Sequence, residues 1–135
     1  MKKNNFIVMI PILITFTLFL SCTNDSEYII PEYIIPEYVI AVNSPTTGMV
    51  NETINIEVSF RVGGSSCYKS AEFIETSNGN SRIIEIEAKY EGDICTLDAP
   101  IKTITYQFMT SNVGDYQLKF KSSPTEFITI NLTIN

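Results

Sequence analysis

The segment GGSSCYKS, residues 63–70, carries the side chains in this sequence that are best suited to nucleophilic chemistry. Ser65 and Ser66 lie close to Lys69, and a serine acts as a nucleophile when a neighbouring group accepts its proton. The same composition is typical of a glycine-rich loop between two strands, which we consider the better interpretation. We therefore expect a binding loop here and no catalytic site.

Acidic residues around Cys95 offer a second possible chemistry, because carboxylate oxygens are the ligands that Ca²⁺ prefers. Glu91, Asp93 and Asp98 flank this cysteine, but their spacing matches no EF-hand loop, and acidic turns are common on protein surfaces. The sequence also contains no histidine, the commonest general base and transition-metal ligand. We expect no metal, no cofactor and no enzymatic activity.

The N-terminal residues 1–21 have the layout of a secretory signal peptide. Lys2 and Lys3 precede an uncharged apolar run from Phe6 to Leu20, and a small residue follows. An uncleaved membrane anchor is the alternative, but the run is shorter than the roughly 18 to 20 apolar residues of a spanning helix, and a proline interrupts it.

The next residues, FLSC ending at Cys22, resemble the lipoprotein signals of bacteria, with Phe19 where that family most often has leucine. The following CTNDSE resembles the short acidic tract that lipoproteins of the Bacteroidota type use as a surface-export signal. The resemblance implies that Cys22 becomes the mature N-terminus and carries lipid. It also implies an outer-membrane lipoprotein that is held by this lipid at the cell surface or on the periplasmic face.

Export also bears on the other cysteines and on the charge. Cys67 and Cys95 form an even pair in an exported chain, which predicts a disulfide. Removal of Lys2 and Lys3 with the signal leaves 7 of the 9 basic residues against 15 acidic ones, a net charge of −8. Phosphates require a basic surface, so we expect no nucleic-acid partner.

From residue 38 onward, apolar and polar residues alternate with period two, which predicts strands with one buried face. The pair Asn78-Gly79 predicts a hairpin between a strand near 71–76 and a strand over 81–90. No segment shows helical periodicity, so the fold class is all-β. The side chains that we expect to face the core are Ile54, Ile56, Val58, Phe60, Val62, Ile84, Ile86, Ala88, Tyr90, Ile104, Tyr106, Phe108, Tyr116, Leu118, Phe120, Ile128, Ile130, Leu132 and Ile134.

With a further strand near 38–42, the sequence predicts about seven strands, the number and spacing of an immunoglobulin-like antiparallel sandwich. GDYQLKF resembles the sixth strand of immunoglobulin-like domains, which implies that Tyr116 bonds back to the backbone at a strand corner. The usual buried tryptophan is absent and Cys67 follows a strand end, so a small β-barrel is the competing architecture. The whole layout resembles that of many small lipoproteins of Bacteroidota.

Before the first strand, EYIIPEYIIPEYVI (27–40) repeats a five-residue unit. Pro31 and Pro36 exclude a helix, and an odd period gives a strand no constant apolar face. We therefore interpret residues 22–37 as a lipidated, proline-stiffened linker and residues 38–135 as the domain. The tyrosines and isoleucines of the linker suit contact with the outer leaflet, with the domain's flank or with a partner that accepts an added strand. Duplication of a tolerated linker is the alternative.

These observations predict a non-enzymatic, membrane-anchored β-sandwich that acts at the cell envelope by binding an unknown protein or glycan, or by structural interactions. Binding would use loops at the ends of strands. An envelope enzyme or a protease inhibitor that presents the disulfide-braced loop 63–70 is the alternative. The candidate binding residues are Ser65, Ser66, Tyr68, Lys69, Asn112 and Asp115.

Overall fold

The computed structural model describes residues 29–135, so the predicted signal peptide and Cys22 lie outside the described residues. This part of the chain forms nine strands in two sheets. It has no helix that is long and apolar enough to cross a membrane. The strands are β1 (Glu32–Glu37), β2 (Val39–Asn43), β3 (Thr47–Gly48), β4 (Ile54–Arg61), β5 (Tyr68–Asn78), β6 (Ser81–Glu91), β7 (Ile101–Phe108), β8 (Gly114–Lys121) and β9 (Phe127–Ile134).

The larger sheet is built around β6. β5 pairs antiparallel with β6 along one edge. Along its other edge, β6 pairs with β1 through residues 86–91 and with β8 through residues 81–84. β9 and the short β3 continue the sheet beyond β8, so it has six strands. The smaller sheet has three strands in the order β2, β4, β7.

The alternating side chains of the two sheets form the core. Among the described residues, the core contains apolar and aromatic side chains, and no polar or charged residue is buried. The predicted inward faces of β4, β6 and β8 are buried throughout, so these predictions are confirmed. On β7 and β9, Ile104, Ile128 and Ile130 are only partly buried. The all-β prediction is confirmed, because residues 29–135 form nine strands in two sheets and no helix.

The predicted hairpin between β5 and β6 is present. Asn78 pairs with Ser81, so the turn consists of Gly79 and Asn80, one position later than the Asn78-Gly79 pair suggested. Gly79 has a φ of 59°, a left-handed conformation that glycine adopts easily and that a type II′ turn requires at its first central position.

The linker prediction is wrong for residues 32–37, which form β1 against β6. The ring of Tyr33 stacks on that of Tyr90, with centroids 5.6 Å apart. β1 pairs with β6 alone, and an edge strand tolerates Pro36 because one of its sides has no hydrogen-bond ladder to complete. The third copy of the repeat runs into β2 in the other sheet, so the repeat crosses between the sheets.

The strand count also differs from the predicted seven, because β1 and β3 are additional strands. Two pairings, β6 with β8 and β3 with β9, are parallel. The sandwich is therefore not antiparallel throughout, although its other pairings are.

The sandwich has two distinct ends. At the first, which we call the disulfide end, β4 and β6 finish and β1 and β7 begin. At the second, which we call the hairpin end, the turn at residues 79–80 lies near the loop 109–113, because β8 runs parallel to β6. The two loops in which the sequence predicted binding residues therefore lie at opposite ends.

Candidate functional site

The disulfide end is organised by the bond between Cys67 and Cys95, whose Cα atoms are 5.4 Å apart. The bond joins the segment that follows β4 to residues 92–100, the connection between β6 and β7, which we call the tip loop. Cys67 is buried, with 2% of its surface exposed. The predicted disulfide thus fixes the tip loop on the core.

Asp98 fastens the tip loop a second time. The backbone amide of Ser65 donates to Oδ1 of Asp98 over 3.1 Å. The Ser65 hydroxyl donates to the other carboxylate oxygen, and the Thr96 hydroxyl donates to Oδ1. These bonds lower the pKa of Asp98 to about 2, because they stabilise the ionised carboxylate. The bond from the Ser65 hydroxyl has the largest effect, and the bond from the Thr96 hydroxyl has the next largest.

The predicted residues of the 63–70 segment hold this structure together. The Ser66 hydroxyl accepts a hydrogen bond of 2.9 Å from the amide of Thr96, and Lys69 Nζ lies 3.1 Å from a carboxylate oxygen of Glu91. Within residues 29–135, neither serine hydroxyl bonds to Lys69, the arrangement that a serine nucleophile would need. The same residues contain no group of three acidic or cysteine side chains that could hold a metal ion.

Tyr68, also a predicted binding residue, belongs to an aromatic cluster beneath this end. Its ring packs edge-on against that of Tyr90 with centroids 6.0 Å apart, and Lys102 lies over its face at 5.6 Å. Burial raises the pKa of the Tyr68 hydroxyl. The hydroxyl of Tyr33 contacts Cys95 Sγ at 3.3 Å, so the aromatic cluster also supports the disulfide.

Two residues that the sequence analysis missed project from the tip loop. The exposed fractions of Ile94 and Leu97 are 92% and 104%, although both flank a cysteine that is bonded to the core. Loops have no hydrophobic periodicity, so the only sequence signal was the presence of large aliphatic residues on both sides of Cys95. The loop therefore presents apolar side chains on a braced support.

A row of polar side chains crosses the outer face of the larger sheet at the hairpin end. Successive strands place them opposite one another, β5 against β6, β6 against β8, and β8 against β9. Three of the four are amides, so we call this the amide row. Its members are Asn78, Ser81, Gln117 and Asn131.

The amide row lines an open cleft of about 590 Å³ together with Asn80, Asp115 and Tyr116. Asn80 Nδ2 donates to the carbonyl of Asp115 over 3.1 Å, and the Thr133 hydroxyl donates to the Asp115 carboxylate over 2.7 Å. In contrast, the side chains of Asn78, Gln117 and Asn131 make no hydrogen bond to other parts of the described chain. Three amide groups are therefore available to a ligand in one cleft.

Asn112 and Asp115, the other two predicted binding residues, lie at the hairpin end, in the 109–113 loop and at the start of β8. Asp115 lines the cleft, as described above. The Tyr116 hydroxyl donates to the carbonyl of Asn112 over 3.1 Å and lies 2.9 Å from the hydroxyl of Thr110, which is the bond back to the backbone that the corner resemblance implied. Asn112 does not line the cleft, and its main chain holds the hydroxyl of Tyr116, which does.

A second polar cleft, of about 740 Å³, lies on the outer face of the smaller sheet. Its amides are already paired within the protein. Asn43 Nδ2 donates to Glu57 over 3.0 Å, and Gln107 Nε2 donates to the side-chain oxygen of Asn55 over 3.4 Å. The cleft along the amide row is therefore the better candidate for ligand binding, despite its smaller volume.

No protein family, curated protein or solved structure matches this chain. Its function is therefore inferred from its own sequence and geometry.

Proposed function

We propose that this protein is a lipid-anchored, immunoglobulin-like β-sandwich of the bacterial outer membrane that binds a glycan through the amide row and catalyses no reaction. The observation that carries the proposal is the cleft of about 590 Å³, in which three amide side chains have no hydrogen-bond partner among residues 29–135. Its volume lies within the roughly 300 to 1,000 Å³ typical of ligand sites.

The chemistry of the amide row favours an uncharged ligand with many hydroxyl groups. Each amide offers two N–H donors and a carbonyl acceptor, and the hydroxyl of Ser81 offers both functions. No member of the row carries a charge. The one carboxylate that lines the cleft, that of Asp115, repels anions and already accepts a hydrogen bond from Thr133. Neighbouring strands lie about 4.8 Å apart, so the four side chains span roughly 14 Å. An extended oligosaccharide presents hydroxyl groups repeatedly over such a length.

The finer architecture and the anchor belong to the same proposal. Two packed sheets and the hydrogen bond from Tyr116 to Asn112 support an immunoglobulin-like arrangement, in which the parallel pairing of β6 with β8 is a local variation. The FLSC signal supports lipid on Cys22, which would hold the protein at the cell surface or on the periplasmic face. Mass spectrometry of the purified protein tests the anchor, because a lipid adds mass to Cys22.

Glycan binding is tested with the purified mature protein on a printed glycan array, followed by calorimetry with the oligosaccharide that binds best. We expect Gln117→Ala and Asn131→Ala each to weaken binding about fivefold, because each removes roughly one net hydrogen bond. Gln107→Ala is the matched control, since it removes the same exposed side chain from the other sheet and should leave binding unchanged. A blank array, or an equal loss in all three variants, would contradict the proposal.

A further inference from the structure

The chain enters the sandwich at the disulfide end, beside the tip loop. β1 begins at Glu32, which pairs with Glu91. The amide of Gly92, the first residue of the tip loop, donates to the carbonyl of Pro31 over 3.1 Å. Cys22 lies ten residues before Glu32, and ten residues reach at most about 36 Å when fully extended. A lipid on Cys22 therefore keeps the disulfide end close to the bilayer.

Large aliphatic side chains are exposed at this same end. Besides Ile94 and Leu97, which are almost fully exposed, Ile29 in the entering chain has 83% of its surface exposed. Exposed apolar groups that lie together commonly mark a contact with another protein or with a membrane. Because the disulfide and Asp98 already hold the tip loop, Ile94 and Leu97 lose little conformational freedom when they make such a contact.

We propose that Ile94 and Leu97 insert into the interfacial region of the bilayer that holds the lipid anchor. The sandwich then stands on its disulfide end, with the hairpin end and the amide row turned away from the membrane and open to ligand. This inference rests on the proposed lipid anchor. Asp93 and Asp98 lie in the same loop and are repelled by anionic headgroups, so the surface that the loop fits is rich in zwitterionic lipid.

The experiment uses tryptophan fluorescence, because the chain contains no tryptophan and a single introduced one is a unique reporter. Leu97→Trp places it at the tip, and Val113→Trp places it at the hairpin end, where 67% of the Val113 surface is exposed. Each full mature protein is reconstituted in phosphatidylcholine vesicles that carry bromine on their acyl chains. We expect the Leu97→Trp emission to shift to the blue and to fall at least about twofold, because an interfacial side chain lies roughly 5 to 10 Å into the headgroup and acyl boundary.

The Val113→Trp emission should match its value without vesicles. An equal change in emission on reconstitution, or no change in either variant, would overturn the docking, whatever the state of Cys22. Mass spectrometry of the same samples reports the lipid on Cys22 independently. A lipidated protein whose Leu97→Trp emission is not quenched keeps the anchor and contradicts the docking, and an unlipidated protein whose emission is quenched on added vesicles contradicts the anchor and supports the docking.

Discussion

At the scale of single residues, Asp98 links the disulfide end to pH. Its pKa in the folded protein is about 2, below the value of about 3.9 that an aspartate has in an unfolded chain. A lowered folded-state pKa stabilises the folded protein above pH 4 or so, and this contribution disappears as the pH falls from about 4 to about 2. We therefore expect the tip loop to loosen in that acidic window.

Asp98→Asn isolates this contribution, because asparagine cannot ionise and the two proteins differ at no other residue. Thermal melting followed by circular dichroism from pH 6 to pH 2 should show the wild-type advantage over the variant shrinking below about pH 4. Parallel melting curves across the whole range would mean that the Ser65 and Thr96 hydrogen bonds do not couple the charge of Asp98 to folding.

The sequence revealed polar candidates such as Ser65 more readily than apolar ones. Glycine and serine between two periodic runs mark a loop, and that loop is present. Whether an aliphatic residue in an irregular segment faces the core or solvent depends on contacts that no local pattern contains. Ile94 and Leu97 were missed for this reason, although their position on both sides of a cysteine is plain in the sequence.

At the scale of the elements, prediction succeeded where one strand carries its own pattern. β4 and β6 each bury one face and expose the other, so alternation alone identified their inward residues. β1 failed this test because its five-residue period has no constant apolar face and includes Pro36. What makes it a strand is its partner, since β6 offers a free edge and Tyr90 offers a ring on which Tyr33 stacks.

The repeat allows two roles to be separated experimentally, that of β1 and that of residues 22–31, which we call the tether because they join Cys22 to β1. Deleting residues 27–31 or residues 32–36 gives the same chain, because the two EYIIP copies are identical. We expect this single deletion to leave the melting temperature unchanged, since the remaining copy forms β1 in the same register. Only the tether becomes shorter, by about 16 Å at roughly 3.1 Å per residue.

Deleting both copies, residues 27–36, is the matched comparison, since it removes most of β1. The loss of the stacked tyrosine pair and of apolar contact with β6 should lower the free energy of unfolding by about 2 kcal/mol or more. Urea unfolding of the wild type and the two deletions measures these effects. A single deletion as destabilised as the double one would show that the sandwich needs both copies for its stability, and not only the copy that forms β1.

At the scale of the whole molecule, the class of the fold could be predicted from the sequence, but the arrangement of its strands could not. Alternation says which face of a strand is buried, and it does not say which strand lies next to which. The parallel pairing of β6 with β8 therefore had no local signal. That pairing places residues 79–80 beside the 109–113 loop. It also sets Ser81 opposite Gln117 and so completes the amide row. The candidate ligand site is thus a product of topology.

The disulfide connects the core to the tip loop across a span of 28 residues, so its removal tests the integrity of the whole sandwich. Closing a loop of this length stabilises a protein by about 3 to 4 kcal/mol in the chain-entropy model, a large part of the roughly 5 to 15 kcal/mol that a domain of this size has. We expect Cys67→Ala with Cys95→Ala to lose that amount in urea unfolding. The small void at Cys67 adds little, because alanine is only one atom smaller.

Hydrogen exchange on the same double variant decides how the two ends are coupled. The amides of Gly64 and Thr96 should lose protection. Gly64 donates to the carbonyl of Asp98 over 2.9 Å, and Thr96 donates to the Ser66 hydroxyl over 2.9 Å, only while the two segments are held together. Amides around the 79–80 turn should exchange at wild-type rates once the lower global stability is taken into account. Wild type treated with a reductant is the control and should reproduce both effects. Equal loss of protection at both ends would mean that the sandwich opens as one unit, and that the amide row depends on the disulfide for its shape.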